Sequence, residues 1–152
     1  MPSVTAISTV SSIASIPSSI KAAIGMGVSK EVSNTTIPIG ISFHKSGSLI
    51  QNVISMVFVA ALFGKNLSFV TIISVSLITT LMVAGIPLGS GGAIIMVMLS
   101  MIGCPLSAFP ILQIFSQLTD MLQTLLNVTG NNVAAVVVNR VMNGKPKTRR
   151  DQ

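Results

Sequence analysis

Residues Ile111 to Asn132 read ILQIFSQLTDMLQTLLNVTGNN. Apolar side chains dominate, and one acid, Asp120, is followed by Gln123, Thr124, Asn127 and Asn131. These positions stand at i, i+3, i+4, i+7 and i+11, so an α-helix places them on one face. A carboxylate with polar neighbours on one stripe of a lipid-length helix is costly, and by default it marks a transport or ion site.

The rest of the chain agrees with a lipid setting. Of 152 residues, 50% are hydrophobic and only 8% charged, and the mean hydropathy is +0.83. A soluble domain carries about 25% charged residues, so the composition predicts an integral membrane protein. Trp and Tyr are absent, which leaves the usual aromatic belt unbuilt. The net charge of +6 does not point to nucleic acid, because the basic residues form no stripe with aromatic neighbours. Lys145, Lys147, Arg149 and Arg150 form a juxtamembrane cluster, which is a cytoplasmic topology signal. The single Cys104 excludes an intrachain disulfide and has no metal-site partners in sequence. One His, one Cys and three acids supply no catalytic constellation, so no enzyme, cofactor or metal site is expected.

Punctuation by Pro, Gly and Ser divides the chain into four elements. Residues 1–26 carry two short arms around Ser11-Ser12-Ile13-Ala14-Ser15-Ile16-Pro17. Neither arm reaches the roughly 20 residues a span requires, which predicts a re-entrant hairpin rather than a crossing. A surface amphipathic helix is the alternative. After a polar connector, residues 35–63 form an apolar segment broken by Ser42-Phe43-His44-Lys45-Ser46-Gly47-Ser48, the pattern of a discontinuous transmembrane helix. Residues 67–103 are interrupted at Gly85-Ile86-Pro87-Leu88-Gly89-Ser90-Gly91-Gly92, which predicts a second hairpin with a glycine-rich tip. Residues 105–131 hold the polar-striped helix, and 139–152 read as a basic cytoplasmic tail. The fold class is therefore all-α: a membrane protein with two re-entrant hairpins and two transmembrane helices, one discontinuous. In this topology Lys21, Lys30, Arg140 and the tail cluster share the cytoplasmic side, Lys65 lies outside and Lys45 lies at membrane depth, a positive-inside arrangement.

Four motifs in this order resemble the C-terminal half of the dicarboxylate/amino acid:cation symporters, the glutamate transporter family. They are the serine-rich run ending at Pro17, Ile37-Pro38-Ile39-Gly40 with His44-Lys45-Ser46-Gly47-Ser48, Gly85-Ile86-Pro87 with its following glycines, and Asp120 to Asn131. The resemblance covers nearly the whole chain. It implies the transport core of an elevator-type secondary transporter, with a small amino-acid or carboxylate solute held between the hairpin tips. It also implies that six scaffold helices of a homotrimer are missing here, as in a truncated reading frame or half of a split transporter.

The resemblance assigns Asp120 to the substrate amine and Asn127 to its carboxylate, with Thr124 as a further donor and Ser11, Ser12, Gly85 and Pro87 at the tips. The departures are informative. Gln123 stands where acidic-substrate members have arginine, so a bidentate partner for a side-chain carboxylate is lacking. That favours a neutral amino acid over a C4-dicarboxylate or acidic amino acid, which remains the alternative. Ser46 and Asn131 stand where the family has ion-binding carboxylates, His44 replaces an asparagine and Lys45 a methionine. The coupling-ion candidates are thus His44, Ser46, Asn127 and Asn131, with the coupling cation Na+ or H+. The loss of carboxylates predicts weak sodium coupling, and histidine is the side chain whose ordinary titration lies nearest neutral pH. Two further alternatives are an Asp120–Lys45 ion pair in an empty core and a non-transporting fragment that needs a partner half.

Overall fold

A computed structural model describes residues 1–85 and 91–143. Among the described residues seven α-helices form: α1 (Pro2–Thr9), α2 (Ile16–Gly25), α3 (Lys30–Phe43), α4 (Ser46–Leu62), α5 (Phe69–Gly85), α6 (Gly91–Met101) and α7 (Phe109–Asn143), with a 3-10 turn at Leu106–Ala108. The described chain is all-helical, as an all-α membrane protein requires. Among the described residues two stretches are long and apolar enough to cross a bilayer, by length and composition. They are Lys30–Leu62, of 33 residues, and Leu106–Asn143, of 38, and within them an 18-residue window reaches a mean hydropathy of 1.3 and 1.2 respectively. Pro87 and the rest of 86–90, together with the basic cluster in 144–152, lie outside the described residues.

The chain divides into two compact units, residues 1–44 with 124–152, and residues 45–123. In the first unit α2, α3 and the α7 segment from Thr124 onward bury Ala23, Val28, Val32, Ile37 and Ala135, flanked by Ile16, Ile20, Val136 and Val138. Pro17 sits in the first turn of α2, where a missing N–H is harmless. Helix α3 starts at Lys30, five positions before the expected Thr35, because Ser29 caps it. The Ser29 Oγ accepts the Val32 N–H at 3.3 Å, and Glu31 lies in the first turn, where a negative charge suits the helix dipole.

Helix α7 also runs past the expected end at residue 131, to Asn143. Asn139, read in sequence as the start of a solvated tail, is only 2% exposed. Its Oδ1 accepts the backbone N–H of Ser29 at 3.0 Å, so it satisfies a donor that a helix N-terminus leaves open. Removing that acceptor strands a partly buried N–H, at a cost of about 1–3 kcal/mol. Asn139→Ala is therefore expected to lower the thermal unfolding midpoint in detergent, whereas Arg140→Ala, at an exposed neighbour, is expected to leave it in place. Equal midpoints for the two variants would refute the capping role.

In the second unit α4, α5, α6 and the start of α7 enclose Met56, Val59, Val75, Ile95, Met98, Leu99, Ile102, Cys104, Ala108 and Leu112. The rings of Phe58 and Phe115 stack with centroids 5.9 Å apart. The break expected across residues 42–48 is narrower than that: only His44 and Lys45 fall outside α3 and α4, and helical bonding resumes with Leu49 N–H to the Lys45 carbonyl at 3.0 Å. Gly103, at φ 66°, ends α6 in the left-handed conformation that glycine adopts at least cost. Lys65 Nζ donates to the Gly103 carbonyl, in the turn just past the end of α6, where a cation suits the helix dipole. Lys65→Met is expected to speed hydrogen exchange at the Cys104 amide, which bonds to Leu99 O at 2.9 Å; unchanged protection would show that the lysine holds nothing in place. On α5, Phe69, Val70, Leu77 and Leu81 are each at least 60% exposed, a surface suited to lipid contact rather than to water.

Candidate functional site

The tip between α1 and α2 is closed by its own serines. Ser11 Oγ accepts the Ala14 N–H at 3.2 Å, and the Ser12 carbonyl accepts from Ser15 Oγ at 2.6 Å. Ser11 and Ser12 are half-buried, while Ser15, which sequence did not single out for the site, is fully buried. Val10, just before them, has φ 48°, a conformation uncommon for a β-branched residue. Gly85 ends α5 with open space around it.

Helix α7 carries Asp120, Gln123, Thr124, Asn127 and Asn131 as one continuous helical face. In the second unit Asp120 and Gln123 are half-buried. Gln123 Nε2 donates to Ser48 Oγ at 2.9 Å, and Ser48 is itself buried. The ion pair between Asp120 and Lys45 does not form among the described residues. Ser46 lies in the first turn of α4, half-buried and partnered.

In the first unit Thr124, Asn127 and Asn131 are all buried. Asn131 Nδ2 donates to the Ile37 carbonyl at 2.8 Å. Asn132 Nδ2 donates to Ser19 Oγ at 3.2 Å and to the Val128 carbonyl at 2.9 Å. These donations fix both amides, so their Oδ1 atoms are the ones left buried without a hydrogen-bond partner among the described residues. His44 forms the C-cap of α3, its N–H on the Gly40 carbonyl at 2.6 Å, and its ring lies against Gly130.

The structure thus brings His44 beside the Asn131 end of the polar face and gives Gln123 a buried hydroxyl partner. Sequence had missed Ser15, Ser19, Ser48 and Asn132. Small hydroxyl residues in an apolar helix give no signal of burial until their partner is known, although Asn132 directly follows the stripe. The chemistry on offer is one carboxylate for a cationic group and several amide and hydroxyl groups for a polar or anionic one. Among the described residues no three His, Cys, Asp or Glu side chains come together to hold a metal ion.

Residues 1–141 match the family described as the Sodium:dicarboxylate symporter family. The chain belongs to that family. Over 138 residues it is 27% identical to a proton/sodium-glutamate symport protein of Geobacillus stearothermophilus, covering 89% of this chain and 32% of that protein. It is 29% identical to a proton/glutamate-aspartate symporter of Escherichia coli strain K12, covering 88% of this chain and 31% of that one. A putative sodium-dependent excitatory amino acid transporter, glt-6, of Caenorhabditis elegans is 30% identical over 93% of this chain and 27% of its own length. No solved structure gives a significant match. The chain spans about a third of the length of these relatives. The family it belongs to is one of symporters, integral membrane transport proteins rather than enzymes.

Proposed function

We propose that this chain is the substrate-binding core of a secondary transporter that moves a neutral amino acid by an elevator motion and is driven weakly or not at all by sodium. The observation that carries this is Gln123. It occupies the polar face of α7 one turn beyond Asp120 and is hydrogen-bonded to the buried Ser48. An uncharged amide there can serve a neutral or polar substrate side chain but offers no guanidinium fork to a carboxylate. Asp120 would take the substrate ammonium, since a lone carboxylate at membrane depth calls for a cation. Asn127 and Thr124 would take the main carboxylate, and Ser11, Ser12, Gly85 and Pro87 would close over it as two re-entrant tips. His44, Ser46, Asn127 and Asn131 would form the coupling element, a set of groups without a carboxylate, and hard cations favour sites that supply one. The homotrimer, the scaffold that would accompany this core and the cytoplasmic C-terminus belong to the same proposal.

The names of the relatives favour a second possibility, an acidic amino acid as substrate, since they include glutamate and glutamate-aspartate symporters. Uptake of labelled serine and aspartate into proteoliposomes separates the two, with external sodium replaced by choline in a parallel sample. Serine uptake that survives choline is the expected result. Aspartate uptake with a steep sodium requirement would overturn the proposal in both substrate and coupling.

A further inference from the structure

We propose that Gly40 and Gly130 are positioning residues, a reciprocal pair of sockets that seat the Asn131 amide and the His44 imidazole. A methyl group on Gly40 would overlap Asn131 Oδ1 and lie 2.7 Å from its Cγ and 3.1 Å from its Nδ2. A methyl group on Gly130 would overlap His44 Nε2 and lie 2.9 Å from Cδ2 and 3.1 Å from Cε1. The exchange is crosswise. Helix α3 supplies Gly40 and presents His44 one turn later, while α7 supplies Gly130 and presents Asn131 immediately after it. Glycine at both contacts lets each backbone carry the other helix's polar side chain directly on its Cα.

Asn131 is the more tightly enclosed of the two guests, His44 being half-buried. Asn131 is 2% exposed, and its Nδ2 is held on the Ile37 carbonyl at 2.8 Å. Rotating the amide by half a turn would set Oδ1 against that carbonyl, acceptor facing acceptor, so the amide cannot flip away from a new methyl group. His44 is a rigid ring on a backbone N–H fixed to the Gly40 carbonyl at 2.6 Å. Gly40 therefore serves twice, as the socket floor for Asn131 and as the acceptor that holds the His44 backbone. The two sockets form one mechanical element, so a change at either glycine is felt at both guests. The consequence for coupling rests on the reading of His44 and Asn131 given above; the sockets do not.

The test uses the full chain in lipid nanodiscs and exploits its single histidine, whose imidazole gives one Cε1–H cross-peak. Gly130→Ala is expected to move that cross-peak and to lower the unfolding midpoint by several degrees. Gly25→Ala, whose methyl group would meet nothing within 4 Å, is expected to leave both unchanged. Gly40→Ala is expected to lower the midpoint, and adding Asn131→Ala to it to recover most of the loss, because the clashing guest is gone. This second pair decides the matter if Gly130→Ala does not fold. A wild-type cross-peak in Gly130→Ala overturns the proposal, as do losses that simply add in the Gly40→Ala, Asn131→Ala double variant. A moved cross-peak together with unaltered cation dependence of serine binding supports the sockets and removes His44 from the coupling element.

Discussion

Gln123→Arg is expected to raise aspartate affinity by roughly tenfold to a hundredfold, with serine affinity reduced or unchanged. A guanidinium presents five donors in a planar fork that matches a carboxylate, and the resulting hydrogen bonds to a charged group contribute about 1.5–3 kcal/mol. That range corresponds to about ten- to a hundredfold in affinity. The position suits the exchange. Gln123 already donates one hydrogen bond to Ser48 Oγ at 2.9 Å, and an arginine of greater reach can keep that bond with one N–H while the others face the substrate. Isothermal titration of the two proteins with aspartate and with serine measures the effect. An arginine variant with no gain for aspartate would show that residue 123 does not face the substrate side chain.

The second large effect is expected at Asp120. Asp120→Asn keeps the shape of the side chain and removes its charge. If the carboxylate holds the substrate ammonium, the loss is that of one partner of a desolvated charge pair, about 2–5 kcal/mol. Affinity for every amino acid then falls by about thirtyfold or more. The unliganded protein responds the other way. An intramembrane carboxylate with no ion pair to Lys45 is a cost to the fold, so the midpoint of the empty Asn variant is expected to hold or rise. Binding and stability would move in opposite directions, which a merely structural role for Asp120 does not produce. A variant that loses stability and keeps its ligand response would assign Asp120 to the fold instead.

The polar stripe of α7 was legible because it depends on spacing alone. Asp120 to Asn131 lie on one helix, and the i, i+3, i+4, i+7 pattern needs no knowledge of neighbours. The start of α2 at Ile16-Pro17 and the end of α5 at Gly85 were legible for a similar reason, since proline and glycine act locally on the backbone. Boundaries set by distant partners were not. Helix α3 starts at Lys30 because Ser29 caps it and Asn139, far along the chain, accepts its N–H. The local part of that signal, a serine followed by an acid in the first turn, was present in Ser29-Lys30-Glu31. Asn139 resembled a tail residue because an asparagine buried by a partner looks, in sequence, like one facing water. Ser48 belongs to the run that reads as a break, yet it is a buried partner of Gln123 and already helical. Its role needed the pairing of α4 with α7, which no local pattern contains. The sockets at Gly40 and Gly130 were equally hidden, because a glycine in a helix does not announce which side chain rests on it.

The most direct test of the central claim is ligand binding by the chain reconstituted in lipid. Its thermal unfolding is followed with alanine, serine, aspartate or glutamate added, each in sodium and in choline buffer. A ligand that binds the folded state raises the midpoint in proportion to its occupancy. A rise with serine or alanine of similar size in both buffers, with no rise for aspartate or glutamate, is the result predicted by an Asp120–Gln123–Asn127 face without a guanidinium and a coupling element without carboxylates. A rise confined to aspartate or glutamate, present in sodium and absent in choline, would contradict it.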